Sequence, residues 1–162
     1  MNNAQTLIIE LPTFELVKRG CAFDYLDEVK KIAFIHPKDY AALKVALSEA
    51  LTNSIEHGNL GLKSEWKEEF DSNGVDKFSI EKNTRLNLPE FAEKKVKIIL
   101  NYSPDMLEVS IKDEGEGFSP ESHQTSVGLE SHGRGIFLIK SAMDSVEYHD
   151  NGRVIYMRKN FR

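Results

Sequence analysis

Leu107-Glu108-Val109-Ser110-Ile111-Lys112-Asp113-Glu114-Gly115-Glu116-Gly117-Phe118 is the stretch on which the fold turns. Leu107, Val109 and Ile111 alternate with Glu108, Ser110 and Lys112, which predicts a strand with one buried face and one wet face. Asp113 keeps the phase of the apolar residues, so its side chain is expected to point into the layer they bury. An inward carboxylate is unfavourable unless a donor meets it. Gly115 and Gly117 follow at once; they permit positive φ and let a flat ligand approach the backbone closely. An adenine offering its exocyclic amino group to Asp113 satisfies both features. The plainer alternative is an aspartate that opens a turn, as Asp-x-Gly sequences often do.

Working outward, Val96-Lys97-Ile98-Ile99-Leu100 supplies a strand just before this one. A helix is expected from about Gly133 to Met143, and then two strands, Ser145–His149 and Arg153–Arg158, joined across Asp150-Asn151-Gly152, a strong two-residue hairpin signal. Upstream, Thr6-Leu7-Ile8-Ile9-Glu10-Leu11 is β-branched and closed by Pro12, which places it at a sheet edge. Ala22, Leu26, Val29 and Ala33 recur at helical spacing, predicting a first helix that stops before Pro37, pairs Asp27 with Lys31 and holds Cys21 as a small filler. Pro37 opens a second helix with Asp39 in its first turn. That helix is expected to run to about His57 and to end at Gly58-Asn59, with Tyr40, Leu43, Leu47, Ala50 and Leu51 as its core stripe.

Between Leu60 and Lys94 the periodicity breaks. The stretch is charged, punctuated by Asn73-Gly74 and Leu88-Pro89, and reads as an insertion with some local structure whose Trp66 and Phe70 pack on the domain. The order β, α, α, insertion, β, β, α, β, β is α+β. It predicts a two-layer sandwich, a mixed and mostly antiparallel sheet covered on one face by helices, as a single domain over 1–162.

Composition narrows the function classes. The 162 residues, 40% apolar and 29% charged, suit one globular domain with a proper core. A net charge of −5 argues against non-specific nucleic-acid binding, which needs a basic footprint. One cysteine excludes an internal disulfide and any zinc site built from paired CxxC motifs. No apolar run approaches the roughly 18 residues of a membrane span, and the N-terminal residues are too few and too polar for a secretory signal. A cytoplasmic protein is therefore expected.

Two further clusters carry potential chemistry. In Glu49-Ala50-Leu51-Thr52-Asn53-Ser54-Ile55-Glu56-His57, the helical repeat of about 100° brings positions 49, 53 and 57 into one polar stripe. A carboxylate, an amide and an imidazole so placed suit a hydrated metal with a general base beside it; a solvated helix face is the alternative. In Gly128-Leu129-Glu130-Ser131-His132-Gly133-Arg134-Gly135-Ile136-Phe137-Leu138, glycines leading into a helix leave free N–H groups at a positive dipole end, a natural phosphate cradle. An ordinary flexible loop before a helix is the alternative here. No Gly-Lys-Ser or Gly-Lys-Thr occurs, so this is not a Walker loop, and no HExxH spacing supports a metal-dependent hydrolase built on His57, His123 and His132.

Taken in order, Glu49-x-x-x-Asn53-x-x-x-His57 on a helix, Asp113-x-Gly115-x-Gly117 after a strand, and Gly133-Arg134-Gly135-Ile136 opening a helix resemble the GHKL (histidine-kinase-like) ATPase fold, a Bergerat-type ATP-binding fold. Within it, Ala46 to Asn53, and Gly133 to Ile139 followed by Met143-Asp144, resemble the bacterial anti-sigma-factor serine kinases. The resemblance implies ATP and Mg²⁺ as cofactors. It implies Asn53 as a Mg²⁺ ligand, His57 near the same phosphate end, Asp113 as acceptor for the adenine amino group, and Gly115 and Gly117 as shapers of that pocket. It further implies Gly133, Arg134 and Gly135 at the phosphates, Ser119–His132 as a lid, and Glu49 as the general base. Implied partners are an anti-anti-sigma-type antagonist protein and a sigma factor, with no direct nucleic acid and no membrane, and a homodimer.

Only Met1–Lys38 precede the body of the second helix, which leaves no room for the phosphorylated-histidine hairpin of a sensor kinase. Two features depart from the family pattern. The 60–94 insertion lengthens the link after the second helix, and its Leu86–Val96 part resembles an extended variant attached to response regulators. The closing hairpin carries Gly152-Arg153-Val154 where relatives often place a threonine. They motivate the alternative of a non-catalytic or nucleotide-free interaction module of the same fold.

Overall fold

Alternation along the strands builds the sheet. The computed structural model describes residues 3–117 and 134–161. The predicted lid, 119–132, and Gly133 of the predicted phosphate cradle lie outside the described residues. Five strands, β1 (Gln5–Pro12), β2 (Lys95–Ser103), β3 (Met106–Lys112), β4 (Ser145–His149) and β5 (Val154–Asn160), pair in the order β1-β2-β3-β5-β4. Every pairing is antiparallel, so the mixed sheet that was expected is uniform among the described strands. Register follows the apolar pattern: Ile9 faces Ile98, Ile98 faces Ile111 and Ile111 faces Ile155 in one row, with Leu7, Leu100, Val109 and Met157 in the next. On β2, β3 and β5 these residues are buried, and the intervening Lys97, Lys112 and Arg158 are exposed. β1 takes the predicted edge position, with Pro12 at its end where no ladder donor is required.

The helices lie on the apolar face. Pro37 opens α3 (Pro37–Asn53), His36 Nδ1 accepts from Lys38 N–H, and Leu43, Ala46, Leu47, Ala50 and Leu51 form the buried stripe, with Tyr40 only half-buried. α6 (Arg134–Ala142) packs against α3 and buries Ile139 and Ala142. (α1, α2, α4 and α5 denote Thr13–Lys18, Leu26–Lys30, Lys77–Leu86 and Pro89–Ala92.) The molecule is thus α+β, helices on one face of an antiparallel sheet.

The N-terminal helical region departs from the periodicity. Instead of one helix to Pro37, α1 starts directly after Pro12 and closes at Gly20 in a left-handed turn, with Gly20 N–H on Val17 O and Cys21 N–H on Leu16 O. Cys21 therefore sits in a turn, half-buried, and not in a helix. α2 follows with only five residues. Asp27 accepts from the Tyr40 hydroxyl at 2.7 Å, and Lys31 pairs with Glu28, so the expected Asp27–Lys31 pair does not form. The closing hairpin is also longer than a two-residue turn: Asp150, Asn151 and Gly152 all have positive φ, and the ladder resumes at His149 opposite Val154.

The insertion folds on the end of α3. A 3₁₀ turn (Ser64–Glu68), a bridge between Phe70 and Asp76, α4 and α5 fill it. The Arg85 guanidinium lies between the rings of Trp66 (5.3 Å) and Phe91 (4.9 Å) and donates to Leu60 O at 2.7 Å. Lys82 pairs with Glu56 at 2.8 Å, and Phe78 is buried beside the His57 ring. Phe70 is 65% exposed, against the expectation that it packs on the domain.

Candidate functional site

Three elements converge at the C-terminal half of α3. The helix does not end at Gly58-Asn59 in α geometry; from Ser54 to Asn59 it widens into a π-helical turn, with Leu60 N–H reaching Ile55 O at 2.9 Å. The α phase stops at Asn53. Glu49 and Asn53 face the start of α6: a Cβ built on Gly135 would stand 2.9 Å from Glu49 Oε2 and 3.5 Å from the Asn53 carboxamide. Glycine lets the α6 backbone come this near without displacing the end of the Glu49 side chain. Arg134, exposed, opens the same helix. His57 turns elsewhere: Nδ1 lies 2.8 Å from Leu62 O and its ring tilts against Phe78. The structure therefore brings Glu49 and Asn53 to Gly135, next to Arg134 in the chain, and sets His57 against Leu62 and Phe78 of the insertion.

The second half of the site begins where β3 ends. Asp113 points inward as parity predicts and is 5% exposed. Its N–H donates to Arg153 O at 3.0 Å, and its Oδ1 accepts from Gly115 N–H at 2.8 Å. Loss of water around the carboxyl pushes it up to about 6, opposed by the Gly115 N–H and by the charges of Arg153 and Lys94 and assisted by Asp150. The π turn presses directly on this loop. A Cβ on Gly58 would come within 2.5 Å of Asp113 Cγ, and one on Gly115 would collide with the Gly58 carbonyl. Gly117, at φ 83°, abuts Asn151 O of the hairpin.

Sequence reasoning missed the residues that fasten this loop. Asn59 is fully buried; its amide donates to Thr13 Oγ1 (2.9 Å) and Lys95 O (3.1 Å), while its Oδ1 accepts from Glu114 N–H (2.7 Å). Thr13 in turn donates to Lys94 O at 2.7 Å, and Glu114 accepts from Lys95 N–H. Arg153, in the sequence only a departure from the expected pattern, donates from Nε to Gly115 O at 2.9 Å. No local signal marks Asn59, because each of its partners is at least 36 residues distant.

The donor chemistry at Glu49 and Asn53, a carboxylate and a carboxamide oxygen, suits a hard cation. Among the described residues no group of three or more His, Cys, Asp or Glu is placed to hold a metal. Magnesium keeps several waters and is held through one or two protein oxygens together with phosphates. Clefts of about 300 and 260 Å³ flank the exposed Phe34 at the N-terminal end of α3, and neither is lined by Glu49, Asn53 or Asp113.

Two comparisons bear on this geometry. Residues 84–159 match the family described as histidine kinase-like ATPase domain; Asp113, Gly115, Gly117 and positions 133–135 lie inside that stretch, whereas Glu49, Asn53 and His57 precede it. A protein of Listeria innocua serovar 6a (strain ATCC BAA-680 / CLIP 11262) named Serine-protein kinase RsbW is 28% identical over 128 residues, which covers 72% of this chain and 63% of that relative. The chain thus spans less than two thirds of the length of the curated relative it matches. No helix among the described residues is long and apolar enough to cross a membrane.

Proposed function

With a histidine kinase-like ATPase fold as the premise, we propose that this chain is an ATP- and Mg²⁺-dependent protein serine kinase of the cytoplasm, an anti-sigma factor that acts by partner switching with an anti-anti-sigma-type antagonist protein and works as a homodimer. The observation that carries the reading is the approach of the Glu49 carboxylate and the Asn53 carboxamide to Gly135 at the start of α6. A helix start presents free N–H groups to phosphate, and here a base stands within reach of the same place. The relative's name, serine-protein kinase, agrees with the same chemistry.

In this reading Asp113 accepts a hydrogen bond from the adenine amino group, with Gly115 and Gly117 flat against the base. Asn53 is the magnesium ligand, Arg134 and Gly135 meet the phosphates, and Gly133 completes that cradle from outside the described residues. When bound, magnesium supplies neutralising charge on the β- and γ-phosphates. Glu49 takes the proton from the attacking serine hydroxyl as its oxygen bonds to the γ-phosphorus and the bond to the ADP oxygen breaks. His57, held by Leu62 O and Phe78, has the lesser part of supporting the π turn from the insertion side.

Incubation with γ-labelled ATP and the cognate antagonist is expected to yield phosphoserine on the antagonist. Glu49→Ala is expected to slow transfer by about 100- to 10,000-fold, the usual worth of a general base, while calorimetry shows Mg·ATP binding within a few-fold of wild type. Unchanged transfer in the Glu49 variant removes Glu49 from the role; nucleotide binding without transfer in the wild type leaves a nucleotide-binding interaction module.

A further inference from the structure

Arg153 stands across the ladder from Asp113, linked through the Asp113 N–H to its own carbonyl. From the hairpin its guanidinium folds back over the glycine turn. Nε donates to Gly115 O at 2.9 Å, Nη2 donates to Glu116 O at 3.3 Å, and Nη1 lies 3.5 Å from Asp150 Oδ1. One planar fork thus holds two successive carbonyls of the loop and is itself held by an acid at the start of the hairpin turn. Lysine, a point charge on a flexible stem, cannot reproduce that geometry. The same hairpin meets the loop a second time where Gly117 abuts Asn151 O. The segment that follows Asp113 is therefore shaped from outside by residues 150–153, and not by β3 alone.

The inference rests on the nucleotide reading given above: we infer that Arg153 is a positioning residue for the base, clamping the Gly115–Glu116 carbonyls so that the Asp113 carboxyl stays turned toward the bound purine. Arg153 does not touch the base; it acts through the loop and through its charge. The groups facing Asp113 are the Gly115 N–H, the cations Arg153 and Lys94, and the anion Asp150. Removing Arg153 leaves Asp150 less opposed and the two carbonyls without their donor. Ionised Asp113 accepts the stronger, charge-assisted hydrogen bond from an amino group, so loss of the clamp weakens binding most near neutral pH.

The experiment pairs ¹³C-NMR titration of the Asp113 carboxyl in the nucleotide-free full chain with calorimetric titration by Mg·ADP, for wild type, Arg153→Ala and Arg153→Lys. Arg153→Ala is expected to move the Asp113 midpoint upward and to weaken Mg·ADP at pH 7 about tenfold, the scale of one charge-assisted hydrogen bond. Arg153→Lys is expected to bring the midpoint back toward wild type, because the charge remains, while binding stays several-fold weak because the fork is gone. A purely structural residue would lower thermal stability and leave Mg·ADP affinity in place, whatever its charge does to the midpoint. Unchanged Mg·ADP affinity in the folded variants overturns the inference alone. If Arg153→Ala does not fold, unchanged binding by Arg153→Lys overturns it equally. A wild-type protein that binds no Mg·ADP, with an Asp113 midpoint that still answers to residue 153, overturns the nucleotide reading and with it the purpose assigned to the clamp.

Discussion

With Asp113 only 5% exposed, desolvation drives its carboxyl up to about 6 from the ordinary 3.8. Between those values the folded protein holds a proton that the unfolded chain releases. The contribution of this group to stability is therefore fully present below about 3.8 and is lost as pH rises through about 6. Asp113→Asn removes the charge and keeps an oxygen for the Gly115 N–H. Its stability relative to wild type is expected to be near zero difference at pH 4 and to grow to about 2–3 kcal/mol in favour of the variant at pH 7, measured by urea unfolding at each pH. A flat difference across that range contradicts the assignment. Asn59 has the opposite character: a neutral amide with three buried partners. Asn59→Ala is expected to lose about 2–4 kcal/mol, since Glu114 N–H, Lys95 O and Thr13 are each left without it. The inward aspartate could be read from parity alone, because strand alternation is a local rule. The buried asparagine could not, because its partners come from α1, β2 and the loop after β3.

Elements meet here by close backbone approach. The π turn at 54–59 and the loop at 113–115 touch through Gly58 and Gly115, each leaving no room for a methyl group. Gly115→Ala presses its new carbon on a backbone carbonyl that has no rotamer to escape into. It is expected to cost about 1–3 kcal/mol in stability, read from the thermal midpoint, and to weaken Mg·ATP binding in calorimetry. Gly58→Ala meets a carboxyl that can swing, so its penalty falls on binding more than on folding. An unaffected Gly115→Ala would mean that the two elements are not held together in solution. Helical periodicity foretold α3 to its last α turn and then overran it, because the stripe rule assumes a constant rise. It also merged the chain between Cys21 and Pro37 into one helix. There the left-handed turn at Gly20 and Cys21 overrides the apolar spacing, and the tertiary contact of Asp27 with Tyr40 replaces a pair along the helix.

The insertion is closed at its base by the candidate site. Asn59 before it and Lys95 after it both bond Glu114, the neighbour of Asp113. Trp66, the single tryptophan of the chain, lies within the insertion, so its fluorescence reports that segment alone. If the insertion is part of one domain, Trp66 fluorescence and far-UV circular dichroism are expected to share one denaturant midpoint. Two separated transitions would make the insertion its own folding unit. What the sequence determined without help is the class of layers: which residues of each strand face inward, that a carboxylate goes in with them, and that glycines stand beside it. These follow from periods of 2 and 3.6 and from the conformational reach of glycine, all properties of adjacent residues. The tertiary structure alone decided the strand order, the contact of His57 with Leu62 and Phe78, the burial of Asn59 and the closing of Arg153 over the glycine turn. Each of these depends on donors and acceptors far apart in the chain, whose pairing is chosen only when desolvation makes an unpartnered polar group more unfavourable than the backbone distortion needed to reach a partner.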